Sequence, residues 1–117
     1  MQLSEVAYAE GTPVDGYGPG FFRIGGDVIG GPVAVLPGGI AQWAGYNDTS
    51  TFCNPSAQID VLFVGTGADI APIPPAFRTA IENAGIGVEI MNSPSACRTY
   101  NVLLSEGRRI GLALIPV

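Results

Sequence analysis

The sequence contains no histidine and no lysine; its five basic residues are all arginine, set against ten acidic ones, for a net charge of -5. Each absence removes a class of chemistry. Histidine is the usual proton shuttle near neutral pH and the commonest metal ligand, so neither a Ser-His-Asp nor a Cys-His nucleophile can be assembled. Without lysine there is no Schiff base and no Walker phosphate loop. The net charge repels a phosphate backbone, which sets nucleic acid aside as a partner. Cys53 and Cys97 stand too far apart in sequence to form a spaced zinc pair and are expected as reduced thiols. No apolar run approaches the roughly 18 residues of a membrane span, so direct membrane insertion is not expected. The opening "MQLSEVAYAEG" has neither the basic and apolar segments of a secretory signal nor the arginines of a mitochondrial presequence. A cytoplasmic, bacterial-style protein is expected.

What is present points to a packed core. Hydrophobic residues make up 47% of the 117 and charged residues only 13%, enough to build one globular domain over residues 1–117. The first half is glycine-rich, with the short apolar runs "GFFRI", "DVI", "PVAVLP" and "IAQWAG" separated by paired glycines. Such pairs mark tight hairpins, because glycine alone takes positive φ at no steric cost. This half reads as an antiparallel meander, and "YNDTSTFCNPS" as a polar connection with a helical turn near Pro55.

From Asp60 onward strand and helix alternate. "VLFV" is the uninterrupted apolar run of a strand buried on both faces. In "PPAFRTAIENAG", Ile73, Phe77, Ala80, Ile81 and Ala84 recur at helical spacing, with Pro74 and Pro75 in the first turn and Gly85 as the C-terminal cap. "IGVEIM" and "IGLALIP" supply two more strands. The expected fold is α/β in three layers, sheet, sheet and helices: a glycine-rich meander, then a parallel strand-helix-strand-helix-strand unit. Crossovers of one hand predict both helices on one face and the meander on the other.

Reactive side chains concentrate in "NSPSACRTYNVLLSEGRR", residues 92 to 109. Ser93 is the expected N-cap and Pro94 the first helical residue. Projected at about 100° per residue, Ala96, Tyr100, Leu103, Leu104 and Gly107 form one stripe with Cys97 at its edge; Arg98, Asn101 and Ser105 lie opposite. Cys97 is thus directed to the core as an inert thiol, the alternative being a thiol activated by the helix N-terminus. The amides of Ser95, Ala96 and Cys97, with the hydroxyls of Ser93 and Ser95, have the chemistry to cradle a small anion that Arg98 reaches; capping alone accounts for the same residues.

"GTGADI", residues 65 to 70, follows a strand as a dinucleotide fingerprint does, and Glu89 is suitably distant to bind a ribose. Ile70, however, replaces the third glycine, and Pro72, Pro74 and Pro75 delay the helix, so a tight turn is the better reading. Gly65, Thr66 and Gly67 still leave the C-terminal end of a parallel strand beside Ser93, the usual crevice of such sheets. Trp43 packs within the meander or anchors a partner. Glu106, Arg108 and Arg109 form a charged helix end, and Cys53 is a passive thiol.

Three stretches carry a resemblance: "GYGPGFFRIGG", "VLPGGIAQW", and the segment from "VLFVGTGADIAPIPPAFRTAIENAG" through "ACRTYN" and "EGR" to the C-terminus. Over about residues 16–115 the chain resembles a small domain of unknown function in bacterial and archaeal proteins. The same domain occurs in the mitochondrial NADH dehydrogenase (complex I) assembly factor and in the adipogenesis-associated protein of animals. The resemblance implies a three-layer fold with no established reaction, cofactor or catalytic residue. It also implies a role in assembling a membrane respiratory complex, through contacts with its subunits or with other assembly factors. Asn92 and Ser93 depart from the acidic residue and threonine common in that family, and no targeting extension is seen.

Two functions follow. One is a non-catalytic protein-interaction module without cofactor or metal, contacting partners through Tyr17, Phe21, Trp43, Arg98 and Arg108. The other is a small-anion or metabolite-binding protein, or an enzyme, using the crevice formed by Gly65, Thr66, Gly67, Ser93, Ser95 and Arg98.

Overall fold

A computed structural model describes residues 11–54 and 58–117; Pro55 and the opening ten residues, on which the leader reading rests, lie outside the described residues. The elements run β1 (Val14–Gly18), β2 (Phe21–Ile24), β3 (Asp27–Gly30), β4 (Val33–Leu36), β5 (Gly39–Gln42), α1 (Ser50–Cys53), β6 (Val61–Gly65), α2 (Pro75–Asn83), β7 (Gly87–Met91), α3 (Ser93–Ser105) and β8 (Ile110–Leu114). β1, β2 and β3 form one antiparallel sheet. The others form a five-stranded mixed sheet in the order β5-β4-β8-β6-β7.

The chain is α/β with two sheets and helices, as the sequence predicts, but the glycine-rich half divides between the two sheets. β4 pairs antiparallel with β8 and carries the β4–β5 hairpin into the main sheet. Burial explains the division. Val33, Ala34 and Val35 of β4 are fully buried without alternation, as an interior strand requires, whereas β2 alternates buried Phe22 and Ile24 with exposed Arg23.

The two long helices lie on opposite faces of the main sheet, not on one. Phe77 and Ile81 of α2 pack with Leu62, Val64 and Ala113. Ala96, Cys97, Tyr100 and Leu104 of α3 pack with Phe63, Leu112 and Leu114, alongside Val14, Phe22 and Ile24 of the small sheet. Strand order is the cause. From β6 the chain steps outward to β7, then returns past β6 to β8, and two crossovers of the same hand running in opposite directions must cover opposite faces. The small sheet therefore shares its layer with α3. Asn101 joins the two: its Oδ1 accepts from the Val14 amide at 2.9 Å and its Nδ2 donates to the Val14 carbonyl at 2.8 Å.

Both helices end in a left-handed glycine with paired closing bonds. At α2 the amides of Gly85 and Ile86 donate to Glu82 and Ile81; at α3 those of Gly107 and Arg108 donate to Leu104 and Leu103.

Candidate functional site

The reversal of direction puts the loops leaving β6 and β7 side by side at the C-terminal edge of the sheet, where open α/β sheets hold their ligands. Here Gly65, Thr66, Gly67 and Ser93 come together as the sequence predicts. The chain itself fills the space between them. Ser93 is completely buried; its hydroxyl donates to the carbonyl of Ile115 at 2.6 Å and accepts from the amide of Gly67 at 2.9 Å. The Ser93 amide donates to the Gly67 carbonyl at 2.8 Å. One serine thus ties the end of β6, the start of α3 and the segment after β8.

Gly65 makes that closure possible. A Cβ there would lie 2.7 Å from the Ser93 hydroxyl oxygen, 2.8 Å from Ser93 Cα and 2.9 Å from a Leu114 methyl. The glycine serves the approach of helix to strand. Thr66 organises the loop that follows: its hydroxyl donates to the Asp69 carbonyl at 2.8 Å and accepts from the Ala71 amide at 3.0 Å. The pinned loop presents Ile70, 64% exposed, a residue that sequence reasoning treats only as a missing glycine.

The N-cap of α3 is Asn92, not Ser93, which is the first helical residue. Asn92 Oδ1 accepts from the Ser95 amide at 2.8 Å, and its carbonyl accepts from the Ala96 amide at 2.9 Å. Those donors are engaged within the chain. Arg98 is exposed and donates from Nη2 to Ser95 Oγ at 3.2 Å.

The candidate contact residues separate by burial. Tyr17 on β1 is 46% exposed, and Arg98 and Arg108 are exposed on and just beyond α3. Phe21 is half-buried, with its ring across Gly18. Trp43 is a correction to the list of contact residues: it is buried edge-on against Tyr46 and Phe52, with centroid separations of 5.4 and 5.5 Å, and its Nε1 donates to the Asp48 carbonyl at 2.8 Å. Its ring belongs to the core under α2, since Phe77 lies 5.6 Å away.

Neither thiol is poised to react. Burial pushes Cys97 up from its ordinary 9.0 to about 12, outweighing the lowering effect of the Arg98 charge. Cys53 is also raised by burial and directs its sulfur at the Ala80 carbonyl, 3.6 Å away. Tyr100 is raised by burial, and its hydroxyl donates to the Thr12 carbonyl at 3.1 Å. Among the described residues no cluster of three His, Cys, Asp or Glu side chains is placed to hold a metal ion, and no helix is long and apolar enough to cross a membrane.

Comparison with known proteins adds what the site alone does not give. A family model described as "Protein of unknown function (DUF498/DUF598)" matches residues 14–115. An uncharacterized protein of Rhodobacter capsulatus is 44% identical over 117 residues, all of this chain and 94% of the relative. The NADH dehydrogenase [ubiquinone] 1 alpha subcomplex assembly factor 3 of Danio rerio is 39% identical over 123 aligned residues, 99% of this chain and 71% of the relative. A crystal structure named as an outer membrane protein of Bartonella henselae superposes with a TM-score of 0.81 at 32% identity, covering 92% of this chain and 97% of that one. The chain belongs to the DUF498/DUF598 family and is similar along nearly its whole length to an assembly factor of Danio rerio.

Proposed function

We propose that this chain is a non-catalytic protein-interaction module that aids assembly of a membrane respiratory complex through contacts with its subunits or with other assembly factors. The observation that carries the reading is similarity along nearly the whole chain to a protein named as an assembly factor. The chemistry supports it: histidine and lysine, two common proton-transfer groups, are missing, both thiols are held above their ordinary pKa, and the crevice donors already bond within the chain. No observation favours the anion-binding alternative over this reading.

Exposed side chains suited to contacts stand at separate places on the surface. Tyr17, Arg98 and Arg108 are side chains of the types that dominate binding energy, and Ile70 adds an apolar point on a loop held by Thr66. The test is photo-crosslinking in the native host from positions 17, 70, 98 and 108. Crosslinks to respiratory-complex subunits or assembly factors support the proposal. Their absence at all four positions, with turnover of a metabolite by the purified protein, would replace it with an enzymatic role.

A further inference from the structure

We propose that the free edge of β5 takes up an extended segment of a partner protein as an added strand, and that this segment is apolar at its centre and basic at its ends. The inference rests on the protein-interaction reading above and specifies the partner's chemistry. It begins from backbone parity. The Trp43 amide bonds to the Pro32 carbonyl at 3.3 Å, so in the antiparallel β4–β5 ladder the Ala34/Ala41 pair exchanges bonds, while Val33/Gln42 and Val35/Ile40 do not. Ile40 and Gln42 consequently turn their N–H and C=O groups away from β4, toward the outside of the sheet.

The outer edges of β1 and β7 are protected in ways that β5 is not. Asn101 occupies the backbone of Val14 on β1 and β7 carries the exposed charge of Glu89, while β3 opens onto the same groove as β5. β5 reads Gly-Ile-Ala-Gln, with no charge and no proline, and all of it except half-buried Ile40 is exposed. An edge without cover or charge is a template for strand addition.

A groove runs along this edge, bordered on its far side by β3, where Val28 and Ile29 face Ile40 and Ala41. By the same parity, set by the 3.0 Å bond from the Gly31 amide to the Gly20 carbonyl, Val28 and Gly30 also direct backbone groups outward. Asp27 lines this groove; Asp48, whose carboxylate also accepts from Ser50 and Thr51, lines an adjoining hollow that shares Gly30 and Gln42 with it, and no cation among the described residues lines either. An extended segment with an apolar centre and basic ends matches this distribution.

The probe is the blocked peptide KVTVTVK, titrated into the labelled full chain, with EVTVTVE as the charge-reversed control. The expected result is shifts and slowed hydrogen exchange at the Ile40 and Gln42 amides, with binding at least tenfold weaker for EVTVTVE. Gln42→Pro removes an outward N–H while leaving the β4 ladder intact, and should weaken binding at least tenfold with the amide spectrum otherwise retained. Ala41→Lys, on the exposed edge, should weaken the basic peptide several-fold. Perturbation confined to other residues, or no binding, overturns the proposal, as does equal binding of both peptides. Concentration-dependent protection of Ile40 and Gln42 without peptide also overturns it, assigning the edge to a second copy of the chain. Failure here leaves the crosslinks from positions 17, 70, 98 and 108 standing, so the two readings fail separately.

Discussion

Asn101 holds Val14 as a neighbouring strand would, accepting from its amide at 2.9 Å and donating to its carbonyl at 2.8 Å. A helix side chain thereby completes the outer edge of β1 and fixes the small sheet against α3. Asn101→Ala should cost about 1–3 kcal/mol, by leaving two partly buried backbone groups without partners. Exchange of the Val14 amide should accelerate more than that of Leu62 in the main sheet. Uniform loss of protection would mean that the bonds are not local.

Gly65 and Ser93 form the second joint. Gly65→Ala forces a methyl against Ser93 Cα at 2.8 Å and should destabilise by about 1–3 kcal/mol, the usual range for overpacking. At Gly38 an added Cβ meets nothing within 4 Å, so Gly38→Ala should change stability by no more than about 0.5 kcal/mol. Denaturant midpoints for the pair check the contrast.

Ser93→Ala would strip the Ile115 carbonyl and the Gly67 amide of their side-chain partner, at a cost of about 1–3 kcal/mol. The same bonds account for another outcome. Millimolar inorganic phosphate should leave the amides of Gly65, Gly67 and Ser95 unshifted in a spectral titration, and a saturable response there would reopen the anion site.

The buried phenol and thiol of α3 set an alkaline limit on stability. Cys97 and Tyr100 are raised in the folded state, chiefly by burial, so the unfolded chain loses its protons first. Stability should be at its plateau below about pH 9 and fall as pH rises from there toward 12, the folded pKa of Cys97, by up to about 1.4 kcal/mol per pH unit for each group. Cys97→Ala should flatten part of that slope. In the native protein at neutral pH, thiol reagents should label Cys53 ahead of Cys97, since Cys97 is the more buried.

The strands and helices after Asp60 were legible because their periodicity is strong: "VLFV" is apolar throughout, and Phe77 and Ile81 recur at helical spacing. The arrangement of helices around the sheet was not, because it depends on strand order, and β8 lies beside β6 instead of β7. No local pattern in the sequence carries that information. The cap at Asn92 was hidden by Ser93 beside it, since both residue types serve as caps. Helical projection puts Asn101 on the solvent side, because it counts apolar neighbours and ignores a strand edge in need of a donor and an acceptor. In the candidate site, positions at the C-terminal ends of strands predict the adjacency of Gly65, Gly67 and Ser93. Closure of the space between them required knowing that the residue after β8 supplies a carbonyl there. Capping asparagines and serines beside a Gly-x-Gly turn are the signal to test for such a joint.

The most direct test of the assembly role is complementation in a strain deleted for this chain, measuring the amount of fully assembled NADH dehydrogenase. The wild-type chain should restore it. A variant combining Ile70→Asp, Arg98→Glu and Arg108→Glu, all at exposed positions, should restore little while folding with an unchanged melting temperature. Normal assembly in the deletion strain, or full restoration by the folded triple variant, would contradict the account.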